Sequence, residues 1–400
     1  MLLPEFADVE RARERLAGHL VATPLTHSRT LSSICGFEVH LKFENLQYTA
    51  SFKERGARNR LEQVEPGRGV VAMSAGNHAQ GVAYHGALLG LPTTIVMPTT
   101  TPFVKVARTR DLGAHVELAG NDVMEARARA LELAEQQDLD FIHPFDDAAV
   151  IAGQGTIACE MLEAEPELDM IIAAVGGGGL AAGMAIAASA HHRPVSVIGV
   201  QTERYPSMAD HLAGRPSTAL AGSTVADGIA VSQAGALTST ILAAHDVDVL
   251  VVSEAAIEQA IAMLLEIEKT VVEGAGAAAL AACMEHGKRF AGQKVGLVLC
   301  GGNIDPRLLS VVTLRGLAVQ GRLNRLRVEL DDVPGRLSQV STIIADAGAN
   351  VVQVDHDGLG STGARSTVLE LRIDTLDRDH ATAVLEELRE AGITAALVEW

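Results

Sequence analysis

Along most of the chain the apolar residues fall in short continuous runs. Each is closed by Gly, Ser or Pro and followed by a longer stretch with helical spacing. Examples are residues 70–73 (VVAM) before SAGNHAQGVAYHGALLG, 94–97 before Pro98, 171–175 before GGGGLAAGMAIAASA, and 295–299 before CGGNID. A strand that reads as an unbroken apolar run is buried on both faces, as in a parallel sheet covered by helices. The pattern predicts an α/β architecture with ligands at the loops that follow the strand C-termini. Residues 170–190 carry no charge and have the length of a membrane span. Four consecutive glycines break the stretch, which therefore reads as a strand, a loop and a packed helix.

The tail has another rhythm. After a helix-like stretch at 306–320 and an Arg-rich connection (Arg322, Arg325, Arg327), the strands alternate in polarity: RVELDD, VVQVDHD, STVLELRID and ALVEW. Two helical patterns separate them, RLSQVSTIIADAG and RDHATAVLEELREAG. The order β-α-β-β-α-β predicts a ferredoxin-like unit with helices on one face of an antiparallel sheet. The boundary is placed near residue 323, giving regions 1–322 and 323–400.

Composition narrows the partners. Of 400 residues, 48% are hydrophobic and 20% charged, enough for a large core built mostly of Ala, Val, Leu and Ile. The excess of 50 acidic over 32 basic residues gives a net charge of −18, which argues against nucleic acid or an anionic membrane as partner. Four widely spaced cysteines (Cys35, Cys159, Cys283, Cys300) suggest neither a disulfide framework nor a zinc site. They fit a reducing cytoplasm, as does a charged N-terminal segment without a signal-peptide core.

Four segments carry candidate chemistry. Lysine is rare, and Lys53 stands in SFKERGA at the start of a predicted helix. The helix dipole there lowers an amine's pKa and frees it as a nucleophile, although a solvated first-turn lysine fits the segment alone equally well. Gly176, Gly177, Gly178 and Gly179 lie between a buried strand and a helix, where backbone N–H groups converge on an anion such as phosphate. The order is neither GxGxxG nor a P-loop. Ser74, Ala75, Gly76, Asn77 and His78 also join strand to helix, and suit a carboxylate or an ordinary N-cap. Cys300, before Gly301 and Gly302, is either inert packing or a ligand contact at a strand end.

An amine nucleophile, a phosphate loop, a carboxylate loop and a strand-end thiol together describe an amino acid bound to pyridoxal phosphate. The segments SFKERGA, SAGNHAQG, AGQGT (152–156), VGGGGL, ADG (226–228), EGAGA (273–277) and CGGN resemble, in order, the threonine dehydratases and serine racemases of pyridoxal-phosphate fold type II. The resemblance implies a large domain and a small domain, the latter about 65–145, with the active site between them. It makes Lys53 the Schiff-base lysine and the base at Cα, with Phe52 beside the ring and Asn77 on O3′. Gly176 to Leu180 (Leu180 included) would then hold the phosphate and residues 74–78 the substrate carboxylate, with Cys300 facing the pyridine nitrogen. A thiol there cannot keep the nitrogen protonated, which favours β-elimination from threonine or serine over transamination. The cofactor phosphate is the candidate acid for the departing hydroxyl.

Ala75 stands where the racemases have a proton-delivering serine, so dehydration to a 2-oxo acid and ammonia is expected. Serine racemase and β-replacement enzymes of the same fold are the alternatives, and a non-catalytic amino-acid sensor is opposed by Lys53. The racemases' metal site is not clearly matched at residues 201–210; no metal ligand is assigned, and metal dependence stays open. The tail resembles an ACT domain through DDVPGRL (331–337) and GANVVQV (348–354). That resemblance implies a homo-oligomer, dimer or tetramer, with Gly335, Arg336, Leu337 and Asn350 binding an amino-acid effector, isoleucine or valine.

Overall fold

The computed structural model describes residues 3–220, 222–357 and 365–399. Its contacts divide the chain into two compact units, Met1–Ile304 and Asp305–Trp400.

The first unit holds two sheets. The larger contains β1 (Leu25–His27), β2 (Glu38–Lys42), β7 (Met170–Ala174), β8 (Ser196–Thr202), β9 (Asp248–Val252) and β10 (Lys294–Val298), ordered β1-β2-β10-β7-β8-β9. All pairings are parallel except that of β1 on the edge. The smaller holds β3 (Val70–Met73), β4 (Thr93–Met97), β5 (His115–Leu118) and β6 (Asp140–Phe141), all parallel in the order β5-β4-β3-β6. The continuous apolar runs have the expected cause: every residue of β3 is buried, as is all of β7 after Met170. Residues 170–190 resolve into β7, a glycine loop and the helix Gly179–Ser189. Among the described residues no helix is long and apolar enough to cross a membrane.

Parallel strands put all their C-terminal loops on one edge of a sheet, and β7 and β10 are neighbours in the larger one. The glycine loop after β7 and Cys300 after β10 are therefore brought side by side. The helix Lys53–Leu61 is fixed against them from below. Its Arg55, 1% exposed, donates to both carboxylate oxygens of buried Glu44 (2.8 Å each) and to Glu160 (2.6 and 2.8 Å). Lys42 Nζ joins the cluster through Glu160 (2.6 Å). The crossing helix Ala148–Ala164 approaches closely because a Cβ on Gly153 would lie 2.7 Å from Gly56 Cα.

The second unit carries β11 (Leu323–Asp331), β12 (Asn350–Asp357), β13 (Ser366–Asp374) and β14 (Thr394–Val398), antiparallel in the order β12-β13-β11-β14. The helices Arg336–Asp346 and Arg378–Glu390 complete β-α-β-β-α-β, as the alternating pattern predicts. Their apolar stripes meet the alternate inward residues of the strands, among them Val328, Leu371, Val340, Ile344 and Val384. The helix Pro306–Val319 groups with this unit. Trp400, at the end of the ALVEW run, lies outside the described residues.

Candidate active site

The segment before Lys53 is zipped onto the end of β10. Phe52 N–H donates to the Cys300 carbonyl (3.1 Å), Gly302 N–H donates to the Ala50 carbonyl (2.9 Å), and Ser51 and Gly301 form an antiparallel bridge. Lys53 thus becomes the first residue of its helix at the strand end that carries Cys300. Its Nζ donates to the Pro144 carbonyl (2.7 Å) and lies 5.2 Å from the centre of the Phe52 ring. Burial lowers the amine's pKa to about 8, against the opposing influence of Cys300 and Glu273. The depression expected from the helix end is present, with desolvation as its cause. Burial, reinforced by Glu273, pushes the Cys300 thiol well up, so it stays neutral.

Asn77 begins the helix after β3 and is held from both sides. Its Nδ2 donates to Glu273 Oε1 (2.6 Å), and its Oδ1 accepts from Asn303 Nδ2 (2.8 Å). One amide hydrogen of Asn77 remains available to a ligand oxygen. Glu273, 4% exposed, is anchored by its own N–H on the Gly301 carbonyl (3.0 Å). Burial, then the nearby Asp227 carboxylate, raises its pKa to about 7.

The glycine loop has a packing cause for each residue. A Cβ on Gly177 would run into the Phe145 ring, one on Gly179 would lie 3.0 Å from Phe145, and one on Gly176 would lie 3.2 Å from Ile229 Cα. Gly178 has φ +95°, and a Cβ there would lie 2.8 Å from Met208 Cε. The first backbone bond of the following helix runs from Ala182 N–H to the Gly178 carbonyl (2.9 Å). The amides before it, with that of buried Leu180, stand at an uncapped helix end, the arrangement that receives a phosphate.

Pyridoxal phosphate fits these residues: an amine held at Lys53, a free amide hydrogen on Asn77, a neutral buried thiol and a cradle of N–H groups. The loop after β3 is arranged differently from a simple row of donors. Ser74 Oγ accepts from Gly76 N–H (3.1 Å), and His78 Nε2 pairs with the Ile142 carbonyl (2.9 Å). Burial, then the nearby Lys53, lowers the His78 pKa to about 3. The imidazole is therefore neutral, with Nε2 turned to the end of β6 and Nδ1 buried without a partner among the described residues. Ala75 is half-buried, and a Cβ on Gly76 would meet nothing within 4 Å, so the mouth of this loop is open.

Sequence reasoning missed several groups that complete the site. Glu273 was visible only as a letter of EGAGA, and Asn303 as the end of CGGN. Residues 143–147 (HPFDD) passed unremarked, although an aromatic and two acids between a strand and a helix are a legible signal. Lys105 on the helix Phe103–Asp111 pairs with Asp227 (2.9 Å), which links the smaller sheet's layer to the segment beside Glu273. In the second unit Gly335 (φ +94°) caps the helix Arg336–Asp346, where Arg336 pairs with Asp331 (3.1 Å) and Leu337 is exposed. Asn350 opens β12 at the other end of that 11-residue helix, about 16 Å away at 1.5 Å per residue. One chain does not bring these four residues together. Glu38, His40 and Glu165 gather at the start of β2, but Lys294 already pairs with both carboxylates (3.5 and 3.2 Å).

Comparison with known proteins follows the same division. Residues 16–301 match the family of pyridoxal-phosphate dependent enzymes, and residues 324–392 match the ACT domain. An L-threonine ammonia-lyase of Thermotoga maritima is 41% identical over 98% of both chains. A solved threonine deaminase from T.th. is 40% identical, with TM-score 0.72, over 76% of this chain and 99% of its own. Maize serine racemase is 31% identical, with TM-score 0.74, over 80% of this chain and 99% of its own.

Proposed function

We infer, from the premise that this chain belongs to the pyridoxal-phosphate dependent enzymes and carries an ACT domain, that it is an L-threonine ammonia-lyase. It converts L-threonine to 2-oxobutanoate and ammonia, and L-serine to pyruvate. The observation that carries the reading is the junction of Lys53, Asn77 and Cys300 at the end of β10, in a chain that aligns along nearly its whole length with a threonine ammonia-lyase.

Bound pyridoxal phosphate supplies an electron sink at the carbon that bears the amino group. Lys53 would hold the cofactor and serve as the base that takes the proton at the substrate Cα; an amine with a pKa of about 8 is partly neutral near pH 7–8, as a general base requires. Asn77, oriented by Glu273 and Asn303, donates its remaining hydrogen to the cofactor's phenolic oxygen. Gly176, Gly177, Gly178, Gly179 and Leu180 receive the phosphate through their amides. Phe52 would pack beside the ring, and the neutral Cys300 thiol would face its nitrogen without charging it. That environment favours β-elimination over transamination once the departing hydroxyl is protonated, for which the cofactor phosphate is the candidate acid. Ser74, Ala75, Gly76, Asn77 and the His78 backbone receive the substrate carboxylate. Racemisation is disfavoured because the Ala75 methyl has no proton to deliver to the opposite face.

The ACT domain binds an amino acid that reports on product supply, isoleucine or valine. Gly335, Arg336 and Leu337 on one copy and Asn350 on another form that site, which makes the enzyme a homo-oligomer, a dimer or tetramer. Four free cysteines suit the cytoplasm as its compartment.

The test is 2-oxo acid release from L-threonine and L-serine, with the visible absorption recorded for the purified protein and for Lys53→Ala. A visible band with 2-oxobutanoate released, both lost in the variant, is expected. A band without 2-oxo acid moves the reaction to racemisation or β-replacement. Isothermal titration with isoleucine and valine tests the effector, and absence of heat with unchanged kinetics removes it.

A further inference from the structure

The loop between β6 and the helix Ala148–Ala164 touches both halves of the cofactor site. Its Pro144 carbonyl accepts from Lys53 Nζ (2.7 Å), its Phe145 ring fills the space that a side chain at Gly177 would need, and the Phe145 Cβ and backbone fill the space beside Gly179. Its Asp146 reaches a helix some ninety residues away in sequence. The helix Ala236–Ala244 starts after Gly235 with no side-chain cap of its own. Asp146 Oδ1 accepts from Leu237 N–H (2.9 Å) and Thr238 N–H (3.1 Å), while Oδ2 accepts from Ala236 N–H (3.1 Å). Gly235 makes room for this, since a Cβ there would lie 2.7 Å from Asp146 Oδ1. Thr238, held in this way, donates its hydroxyl to the Gly177 carbonyl (2.6 Å).

The loop's own shape is fixed by His143. Its Nδ1 accepts from Asp146 N–H (2.8 Å) and Phe145 N–H (3.3 Å), which requires that nitrogen unprotonated. Burial holds the His143 pKa at about 4, so the acceptor persists across the neutral range.

We propose that Asp146 is a positioning residue that sets two distances at once. Through Pro144 it places an acceptor on the Lys53 amine, and through Thr238 it places the glycine loop. The spacing between the proton-moving amine and the phosphate cradle is then fixed by one carboxylate. The proposal rests on the cofactor reading above. A carbonyl acceptor stabilises the ammonium form, so its loss makes Lys53 react as a free amine at lower pH. The other groups facing that amine are Cys300 after β10, Glu273 ahead of the helix Gly274–His286, His78 on the helix Asn77–Leu88, and His143. None of them is substituted in the variants used. The Asp146 carboxylate raises the His143 pKa, so its loss only lowers that pKa further and the ring stays neutral.

The experiment titrates cofactor-free protein with pyridoxal 5′-phosphate and with phosphate-free pyridoxal, following the visible band against pH. In Asp146→Ala the phosphate ester binds about tenfold more weakly, pyridoxal is little affected, and the pH midpoint of band formation falls. Asp146→Asn keeps the Oδ1 acceptor and is intermediate. Thr238→Val weakens the ester alone and leaves the midpoint in place. If Asp146→Ala folds and only one of the two quantities moves, or only the melting temperature, the coupling is overturned. If Asp146→Ala does not fold, Asp146→Asn decides: both quantities shifted supports the proposal, and neither overturns it. A wild-type protein that forms no band overturns the cofactor reading itself, and the proposal with it.

Discussion

The two units bury different things. The first encloses charge: Arg55, Lys42, Glu44, Glu54 and Glu273 are all under 5% exposed. The second, among its described residues, buries one polar side chain, Thr367, and otherwise an aliphatic core. Its strands alternate inward and outward residues, as in β11, whereas β3 is buried throughout. Burial raises the proton affinity of Glu273, and the ion pairs and hydrogen bonds around these groups fix their orientations, which is what chemistry requires. A sheet with one solvated face and an αL-capped helix end at Gly335 suits recognition of a small molecule from outside. The catalytic region and the ACT domain thus differ in what each removes from solvent.

The sharpest way to break this contrast is to remove the amine. Lys53→Ala should lower 2-oxo acid formation by about a thousandfold or more and abolish the visible band, with the circular dichroism spectrum unchanged. Next in size is the buried ion cluster. Arg55→Ala removes the ion-pair partner of buried Glu44 in the first unit, which keeps its hydrogen bonds from Thr23 and Gln47, and should cost about 3–5 kcal/mol in urea unfolding of that unit. Arg55→Lys should recover only part, because the two-pronged contact with Glu44 is lost. Val328→Ala, in the second unit's core, should cost about 1–3 kcal/mol. It should lower the melting of that unit alone and leave kcat without effector within twofold; a larger fall in kcat would erase the division.

Proton affinity offers a further test. With its pKa at about 8 rather than 10.5, Lys53 should react with an aldehyde increasingly as pH rises through about 8. A reaction that rises only near pH 10, followed by borohydride trapping and peptide mapping, would place the amine in water.

Much of this was legible in the sequence, for identifiable reasons. The apolar runs 70–73 and 295–299 report two-sided burial directly, and the alternation from residue 326 onward reports one-sided burial just as directly. The glycines between β7 and its helix marked a loop, although their packing against Phe145 and Met208 was not visible, because it depends on side chains distant in sequence. Glu273 and Asp146 were illegible for the same reason. Each works by reaching a partner, Asn77 or Thr238, that only the tertiary fold brings near. Asn350 shows another case: the resemblance to ACT domains groups it with Gly335, Arg336 and Leu337, from which a helix of 11 residues separates it within one chain.

The smallest expected effect concerns the link between the first unit's two layers. Lys105 and Asp227 are 39% and 59% exposed, so their attraction is screened by water and salt and contributes about 0.2–1 kcal/mol. Yet Asp227 precedes Gly228, where a Cβ would lie 3.2 Å from Glu273 Oε1, so the pair borders the carboxylate that holds Asn77. Weak coupling at a cleft changes how readily substrate is captured more than how fast bound substrate reacts. Lys105→Ala should therefore raise KM for threonine about two- to fivefold with kcat unchanged, and added salt should shrink the difference between wild type and variant. The charge-exchanged pair, Lys105→Asp with Asp227→Lys, should restore KM if only their mutual attraction counts. If the exchange fails while Lys105→Ala shows the effect, the ammonium acts on the substrate carboxylate directly, and the border between the layers is part of the binding site.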